Sequence, residues 1–238
     1  LVSLDMAPDA FDDRYEGCGA AMAAALPALH QLESRQSSLY ARSWAKARAE
    51  WRSWGSLLTP LNPDQATALT ALGLRDLYEA FNEAVSTAGR SRQEYRDKFR
   101  FKALHFLVTQ ALGRLREARG ARCLLVNLDL CGVRYVVWPG NTVRFGFFLL
   151  APWTLTRATC PGKSTRLQVY TCHSGDFHLH LQHLNKEVVL IPPFETFKVH
   201  TVTEAGDETR ILLMHEGTLN NYNCEWLRGD STGDSTGD

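Results

Sequence analysis

Residues Lys186 to Val199 read KEVVLIPPFETFKV, and the way this stretch alternates and then breaks decides the architecture. Val188, Val189 and Ile191 form a β-branched run that favours a strand. Pro192-Pro193 then remove two backbone N–H donors and end any ladder the run has joined. A second apolar strand, Phe194 to Val199, is expected beyond them. Side chains alternate faces along a strand, so Glu187 points away from the direction Val188 takes. A one-residue slip reverses every neighbour, and a bulge at Val188 or Val189 would return Glu187 to the other side.

Outward from this stretch, the whole second half has the same character. Cys123–Cys131, Val133–Trp138, Thr142–Leu150, Arg166–His173, Phe177–Leu184 and Thr209–Glu216 are further expected strands, with Pro139-Gly140-Asn141 as a hairpin turn. The first half is helical. Tyr40, Trp44, Ala47, Trp51 and Trp54 step by four and three, a buried stripe that Gly55 closes. Asn62-Pro63-Asp64 combines an N-cap, a proline at the first helical position and an acidic first turn. Ser91-x-x-Glu94 is a capping box ahead of Phe101, Leu104, Val108, Leu112 and Leu115, one face of a long helix. Helices followed by strands indicate α+β rather than alternating α/β. One domain is expected over residues 1–228, helical over 1–120 and stranded over 121–228. Residues 229–238, GDSTGDSTGD from Gly229, have nothing to bury and read as a disordered tail.

Lys+Arg and Asp+Glu balance at 26 each in 238 residues. No basic field is present to hold nucleic acid, which is not expected as a partner. No apolar run approaches the roughly 18 residues a membrane span needs. The opening at Leu1 reads as a processed ectodomain without a signal peptide. Six cysteines, at 18, 123, 131, 160, 172 and 224, show no C-x-x-C spacing. Disulfides in an oxidising compartment are therefore preferred over zinc or thioredoxin-like chemistry.

The chain resembles the vertebrate extracellular arginine-specific mono-ADP-ribosyltransferases. The resemblance is carried by Val189-Leu190-Ile191-Pro192-Pro193, by LDMAPDAFDDRYEGC (Leu4–Cys18), by AGRSRQEYRDKFRFKALHFLVTQAL (Ala88–Leu112) and by NNYNCEW (Asn220–Trp226), in the family's order. It implies a helical part packed on a two-sheet β core around an NAD cleft. It also implies transfer of ADP-ribose from NAD to a protein arginine, with release of nicotinamide. The family signature is an arginine on an early strand, serines in Phe-x-Ser-x-Ser, and a Glu-x-Glu pair. The arginine and serine position NAD, the second glutamate stabilises the ribosyl cation, and the first selects arginine as acceptor. The resemblance further implies bridges Cys18–Cys224 and Cys123–Cys172, leaving Cys131 and Cys160 to pair with each other or stay free.

This sequence departs from the signature at its centre. Lys186, Glu187 and Val188 stand under acid-x-acid, so Val188 replaces the catalytic glutamate and Lys186 the acceptor-selecting one. Glu187 is the surviving candidate carboxylate. Leu128 replaces the arginine, and Asp129 after it is expected to repel a pyrophosphate. Arg134 is an alternative donor that reads as an ordinary strand arginine. Arg144, Phe145 and Gly146 match the serine segment and are the expected cofactor-side residues, but Leu150 and Pro152 fall on the serines. Leu72-Gly73 replaces the tyrosine-threonine pair of the nucleotide-facing helix. The expectation is a scaffold that binds NAD weakly or not at all, with turnover weak or lost. The alternatives are an active enzyme using Glu187 through a bulge, and a secreted interaction module with no nucleotide binding. Pro161-Gly162-Lys163-Ser164-Thr165 ends like a phosphate loop but has Arg157 where the motif needs glycine. His178 and His180 share a strand face, near His183, in the stretch that presents the acceptor protein in the family. No third ligand at fixed spacing completes a metal site, so no metal is expected.

Overall fold

The computed structural model describes residues 1–54, 59–153 and 157–229. Its helices are α1 (Gly19–Gln36), α2 (Ser38–Ser53), α3 (Pro63–Ala71), α4 (Arg75–Ala88), α5 (Arg92–Lys98) and α6 (Lys102–Ala118). Its strands are β1 (Val2–Ser3), β2 (Leu124–Cys131), β3 (Tyr135–Val136), β4 (Thr142–Val143), β5 (Leu149–Pro152), β6 (Ser164–Thr171), β7 (Gly175–Leu181), β8 (Leu184–Ile191), β9 (Glu195–Ala205) and β10 (Glu208–Thr218). A short 3₁₀ turn, Glu225–Arg228, follows them. The class is α+β. Gly55 and residues 230–238 lie outside the described residues, so the expected closure of α2 and the expected tail do too.

Among the described residues, the β half is built on a five-stranded sheet in the order β2-β6-β10-β9-β4 and a three-stranded one in the order β5-β8-β7, with β3 paired separately to β1. An apolar core lies between the five- and three-stranded sheets, with Val126, Leu167, Phe197 and Ile211 from the larger sheet and Leu149, Ala151, Val189 and Ile191 from the smaller. The other face of the smaller sheet meets the helices. Leu190 is buried in the helical core with Phe81, Leu104, Leu112 and Phe148. Alternation along β8 thus feeds Val189 and Ile191 to one core and Leu190 to the other.

Local signals explain most boundaries. Asn62 Oδ1 accepts from Gln65 N–H at 2.8 Å while Gln65 Oε1 accepts from Asn62 N–H at 3.1 Å, a complete capping box at α3. Ser91 caps only the short α5, not one long helix. The chain breaks at Phe99–Phe101 because α6 takes its cap from elsewhere. The buried carboxylate of Glu33 in α1 accepts from the N–H groups of Lys102 (2.7 Å) and Ala103 (2.8 Å). Lys102 Nζ in turn donates to the carbonyls of Phe99 and Arg96. The expected strand Thr142–Leu150 is likewise two strands, interrupted at Gly146 with φ +74°. A Cβ there would stand 2.4 Å from Ala7 Cβ, so the N-terminal segment packs where only glycine fits. Phe177–Leu184 divides into the end of β7 and the start of β8. The turn at Pro139-Gly140-Asn141 joins β3 to β4 without pairing them, since β3 pairs with β1 and β4 with β9.

Three disulfides close the structure: Cys18–Cys224, Cys123–Cys172 and Cys131–Cys160. The first joins the start of α1 to the 3₁₀ turn across 206 residues. The third settles the pair that sequence left open.

Candidate active site

Strand pairing gathers most of the motif positions on one sheet face. Leu150 of β5 lies opposite Leu190 of β8, and Pro152 lies opposite Val188, with Phe177 of β7 on the other side of Val188. Residues directly across a ladder share a face. Leu150, Pro152, Val188, Phe177 and, two residues along, Lys186 therefore look the same way, toward the helices. Val188 is 1% exposed, Leu150 is half-buried and Lys186 is exposed. At positions 188 and 186 this face presents a packed valine and a solvated lysine.

The helical side of this face is closed by Gly73. A Cβ on Gly73 would come within 2.5 Å of Leu181 Cδ1 and 3.2 Å of Leu179 Cδ2. The two β7 leucines thus rest directly on the α3–α4 junction, in space a larger residue would occupy. The backbone of β5 is held from the same side, with Leu150 N–H donating to Tyr78 Oη at 3.1 Å and Phe148 N–H to Asn82 Oδ1 at 3.0 Å.

Leu128 sits on β2 opposite Leu167 and packs against the inter-sheet core. Asp129 points the other way, which corrects the expected repulsion. Its carboxylate accepts from Arg166 Nη1 at 3.0 and 3.1 Å and from Ala158 N–H at 2.9 Å, on the outer face of the larger sheet. It therefore lies on the far side of β2 from Leu128. Arg134 is paired with Glu204 and lies at the β1–β3 edge.

Glu187 keeps the face that alternation gives it. The register of β8 with both neighbours runs without a shift from Leu184 to Ile191, so the bulge that would turn Glu187 toward Val188's side is absent. The register shifts of the larger sheet fall between β9 and β10, at Leu212/Leu213 and His215/Gly217. Glu187 Oε1 instead lies 2.6 Å from Nδ1 of His178, its cross-strand partner, whose Nε2 contacts Asn185 Oδ1. Two acceptors on the two ring nitrogens favour the doubly protonated ring. The hydrogen bond to Asn185, then that to Glu187, raises the His178 pKa. His178 stacks on His180 with centroids 4.1 Å apart, and His180 in turn lies against Trp54 at 4.3 Å. Burial and the neighbouring His178 lower the His180 pKa.

Arg144, Phe145 and Gly146, the expected cofactor-side residues, are engaged in contacts within the protein. The Arg144 guanidinium is fully buried, paired with Asp12 at 2.7 Å, and donates to the carbonyls of Met6 (2.8 Å), Ala7 (3.1 Å) and Leu219 (2.8 Å). Its donors are directed at protein oxygens. Phe145 belongs to the inter-sheet core beside Phe197, and Gly146 serves the contact with Ala7.

Sequence reasoning passed over Glu195, which follows the double proline. Its buried carboxylate accepts from Thr171 Oγ1 (2.6 Å), Cys172 N–H (2.7 Å) and His173 N–H (3.1 Å), and lies 2.8 Å from His215 Nδ1. An acid in an apolar strand was the available signal. Burial lowers the pKa of adjacent His173 to about 4, against the opposing pull of Glu195. Cys172 Sγ is also near, but its bond to Cys123 removes it as a metal ligand.

Residues 4–220 match the family model described as NAD:arginine ADP-ribosyltransferase. The chain is 40% identical to the GPI-linked NAD(P)(+)--arginine ADP-ribosyltransferase 1 of Mus musculus, over 94% of this chain and 73% of that protein. It is 38% identical to the NAD(P)(+)--arginine ADP-ribosyltransferase 2 of Gallus gallus, over 95% and 74% respectively. A crystal structure of the eukaryotic mono-ADP-ribosyltransferase ART2.2, a glutamate-to-isoleucine variant in complex with NAD, superposes with a TM-score of 0.76 at 26% identity. That superposition covers 94% of this chain and 99% of ART2.2.

Proposed function

Because this chain belongs to the NAD:arginine ADP-ribosyltransferase family, we propose that it retains the family scaffold while transferring ADP-ribose to arginine weakly or not at all. The observation that carries this reading is Val188, buried between Pro152 and Phe177 where the lineage reaction needs a carboxylate. As nicotinamide leaves, positive charge develops on the ribose. A preorganised group facing such charge is typically worth about 3 to 4 kcal/mol, a hundredfold to a thousandfold in rate. Glu187 is on the opposite face of its strand and already engaged by His178.

Nucleotide affinity is proposed to be low for a separate reason. The ART2.2 variant lacks one glutamate and is nonetheless in complex with NAD, so loss of that acid alone is no argument against binding. Leu128 and Leu150 have no side-chain donors to offer a nucleotide, and the leucines of β7 rest directly against Gly73. Two lost charge-assisted hydrogen bonds at about 1.5 to 3 kcal/mol each weaken binding roughly a hundredfold or more. Three disulfides and a GPI-linked relative support a location at the cell surface or outside the cell. The partner is then a protein of the kind that offers arginine to the family.

The test is an NAD glycohydrolase and agmatine-transfer assay with the ART2.2 enzyme as positive control, alongside calorimetry with NAD. No turnover with millimolar or weaker NAD binding is expected. Turnover that Glu187→Gln abolishes would overturn the reading. A complete absence of NAD heat would favour a secreted interaction module that no longer uses nucleotide.

A further inference from the structure

Beyond the inter-sheet core, the segment around β3 passes over the end of the larger sheet and leaves a cavity of about 550 Å³ beside β9 and β10. Thr165 of β6 and Thr209 of β10 are direct ladder partners there. Alternation from the core residues Leu167 and Ile211 turns both toward the β3 segment. Thr165 uses its hydroxyl fully, donating to the Val133 carbonyl at 2.8 Å and accepting from Tyr135 N–H at 3.2 Å. Thr209, one strand away, lines the cavity and is only 2% exposed. Its buried hydroxyl has no hydrogen-bond partner among the described residues. Burying an unpaired hydroxyl is costly, and valine would fill the same space without that cost.

The rest of the lining is mixed in character. Trp138 is 64% exposed, which alone means little on a protein surface. Here it stands on a turn tied at both ends: Trp138 N–H donates to Asn141 Oδ1 at 3.1 Å, Asn141 N–H donates to the Trp138 carbonyl at 3.1 Å, and Gly140 N–H donates to the Val199 carbonyl at 2.8 Å. The charged lining residues are Arg134, Lys163 and Glu204. Arg134 is paired with Glu204, whereas Lys163 has no acidic partner among the described residues. Two cations against one carboxylate leave the cavity with a single positive charge in excess.

We propose that this cavity binds a pyranose sugar and prefers one that bears a carboxylate. The apolar C–H face of such a ring lies on the Trp138 indole, a ring hydroxyl supplies the partner that Thr209 Oγ1 lacks, and Lys163 meets the carboxylate. A wholly apolar ligand would leave Thr209 unpaired, and a bare inorganic anion would make no use of Trp138. The volume is within the range of about 300 to 1,000 Å³ usual for small-molecule sites. None of positions 72, 73, 128, 150, 152, 186, 187 or 188 lines it, so the site depends neither on NAD nor on transfer.

The experiment is a titration of the intact protein with a panel of methyl glycosides, read by amide and indole NMR shifts. The neutral members are those of glucose, galactose, mannose and N-acetylglucosamine, and the acidic ones those of glucuronic and N-acetylneuraminic acid. Saturable binding of at least one member is expected, with the largest shifts at the Trp138 indole and the Thr209 and Val202 amides. An acidic member should bind up to about fivefold tighter than the neutral ones, and Lys163→Gln should remove that preference. Thr209→Val should weaken binding roughly tenfold without lowering the melting temperature of the free protein, and Trp138→Ala should weaken it by a similar factor. Trp153→Ala, at an exposed tryptophan of the smaller sheet, should leave binding unchanged. Absence of saturable binding across the panel overturns the site. So does full affinity in Thr209→Val or Trp138→Ala, a loss in Trp153→Ala equal to that in Trp138→Ala, or displacement of the sugar by NAD.

Discussion

Val188→Glu tests whether the missing carboxylate is simply absent or whether its place has been filled. In a cleft open to water the substitution would cost little. Here Val188 is 1% exposed and faces Pro152 and Phe177 across its two ladders. A glutamate at that depth is held neutral, and fully buried glutamates reach pKa values of about 8 to 9. From an unfolded value near 4.3, keeping the acid protonated at about pH 7.4 costs roughly three pKa units, or about 4 kcal/mol at about 1.36 kcal/mol each. For a chain of this length that is a drop in melting temperature of about 8 to 16 °C. The sign is set by the raised folded pKa: the penalty is absent below the unfolded value and grows as pH rises above it. Thermal unfolding of both proteins between about pH 4 and pH 8 should therefore show curves that meet at the acid end and diverge toward neutrality. The variant should also remain inactive on agmatine. Restoration needs Leu128→Arg, Leu150→Ser, Val188→Glu and Lys186→Glu together. If Val188→Glu is as stable as the parent near neutrality, the position opens to solvent and the argument from packing is refuted.

Three other outcomes are expected. Removing Cys18–Cys224 by paired serine substitution should cost about 5 kcal/mol in the chain-entropy model for its 206-residue separation; a urea midpoint unchanged under non-reducing conditions contradicts this. Arg144→Ala leaves Asp12 buried without its partner and should destabilise by about 3 to 5 kcal/mol, whereas a loss below about 1 kcal/mol would mean the guanidinium is dispensable to the fold. His178 has a raised pKa, so its contribution is fully present below the ordinary histidine value of 6.5 and is lost as pH rises through the folded value; Asn185→Ala should lower its NMR titration midpoint, and an unchanged midpoint would remove Asn185 as the cause.

Short-range chemistry was legible in the chain. The Asn62–Gln65 cap, the end of β8 at the double proline and the opposed faces of Val188 and Glu187 each depend on residues within a turn or a ladder step. What was not legible depends on distant partners. Arg144 sits in a segment that resembles a nucleotide-binding motif, yet its role is fixed by Asp12, 132 residues away. Asp129 acquires its direction from Arg166 across the sheet, and the break between α5 and α6 follows from Glu33, 69 residues before Lys102. The closure of β7 onto Gly73 is invisible for the same reason.

The segments that carry the resemblance hold the two ends of the chain together. Asp12 binds Arg144 and the N–H groups of Asn221 and Tyr222, while Asp13 accepts from Tyr15, Cys224 and Glu225 N–H groups. These contacts tie LDMAPDAFDDRYEGC to NNYNCEW beside the Cys18–Cys224 bridge. Asp13 is held against its own burial, which raises its pKa, by three backbone donors that lower it. Glu195 does comparable work after the double proline, joining β9 to β6 and β10. The side chains of Leu128, Leu150 and Val188 take no part in these networks, so substitution there leaves them undisturbed. The reverse does not hold: removing Asp12, Asp13 or Glu195 strands several buried donors at once, each costing about 1 to 3 kcal/mol. A folding requirement is therefore enough by itself to keep these networks, whatever chemistry the scaffold carries.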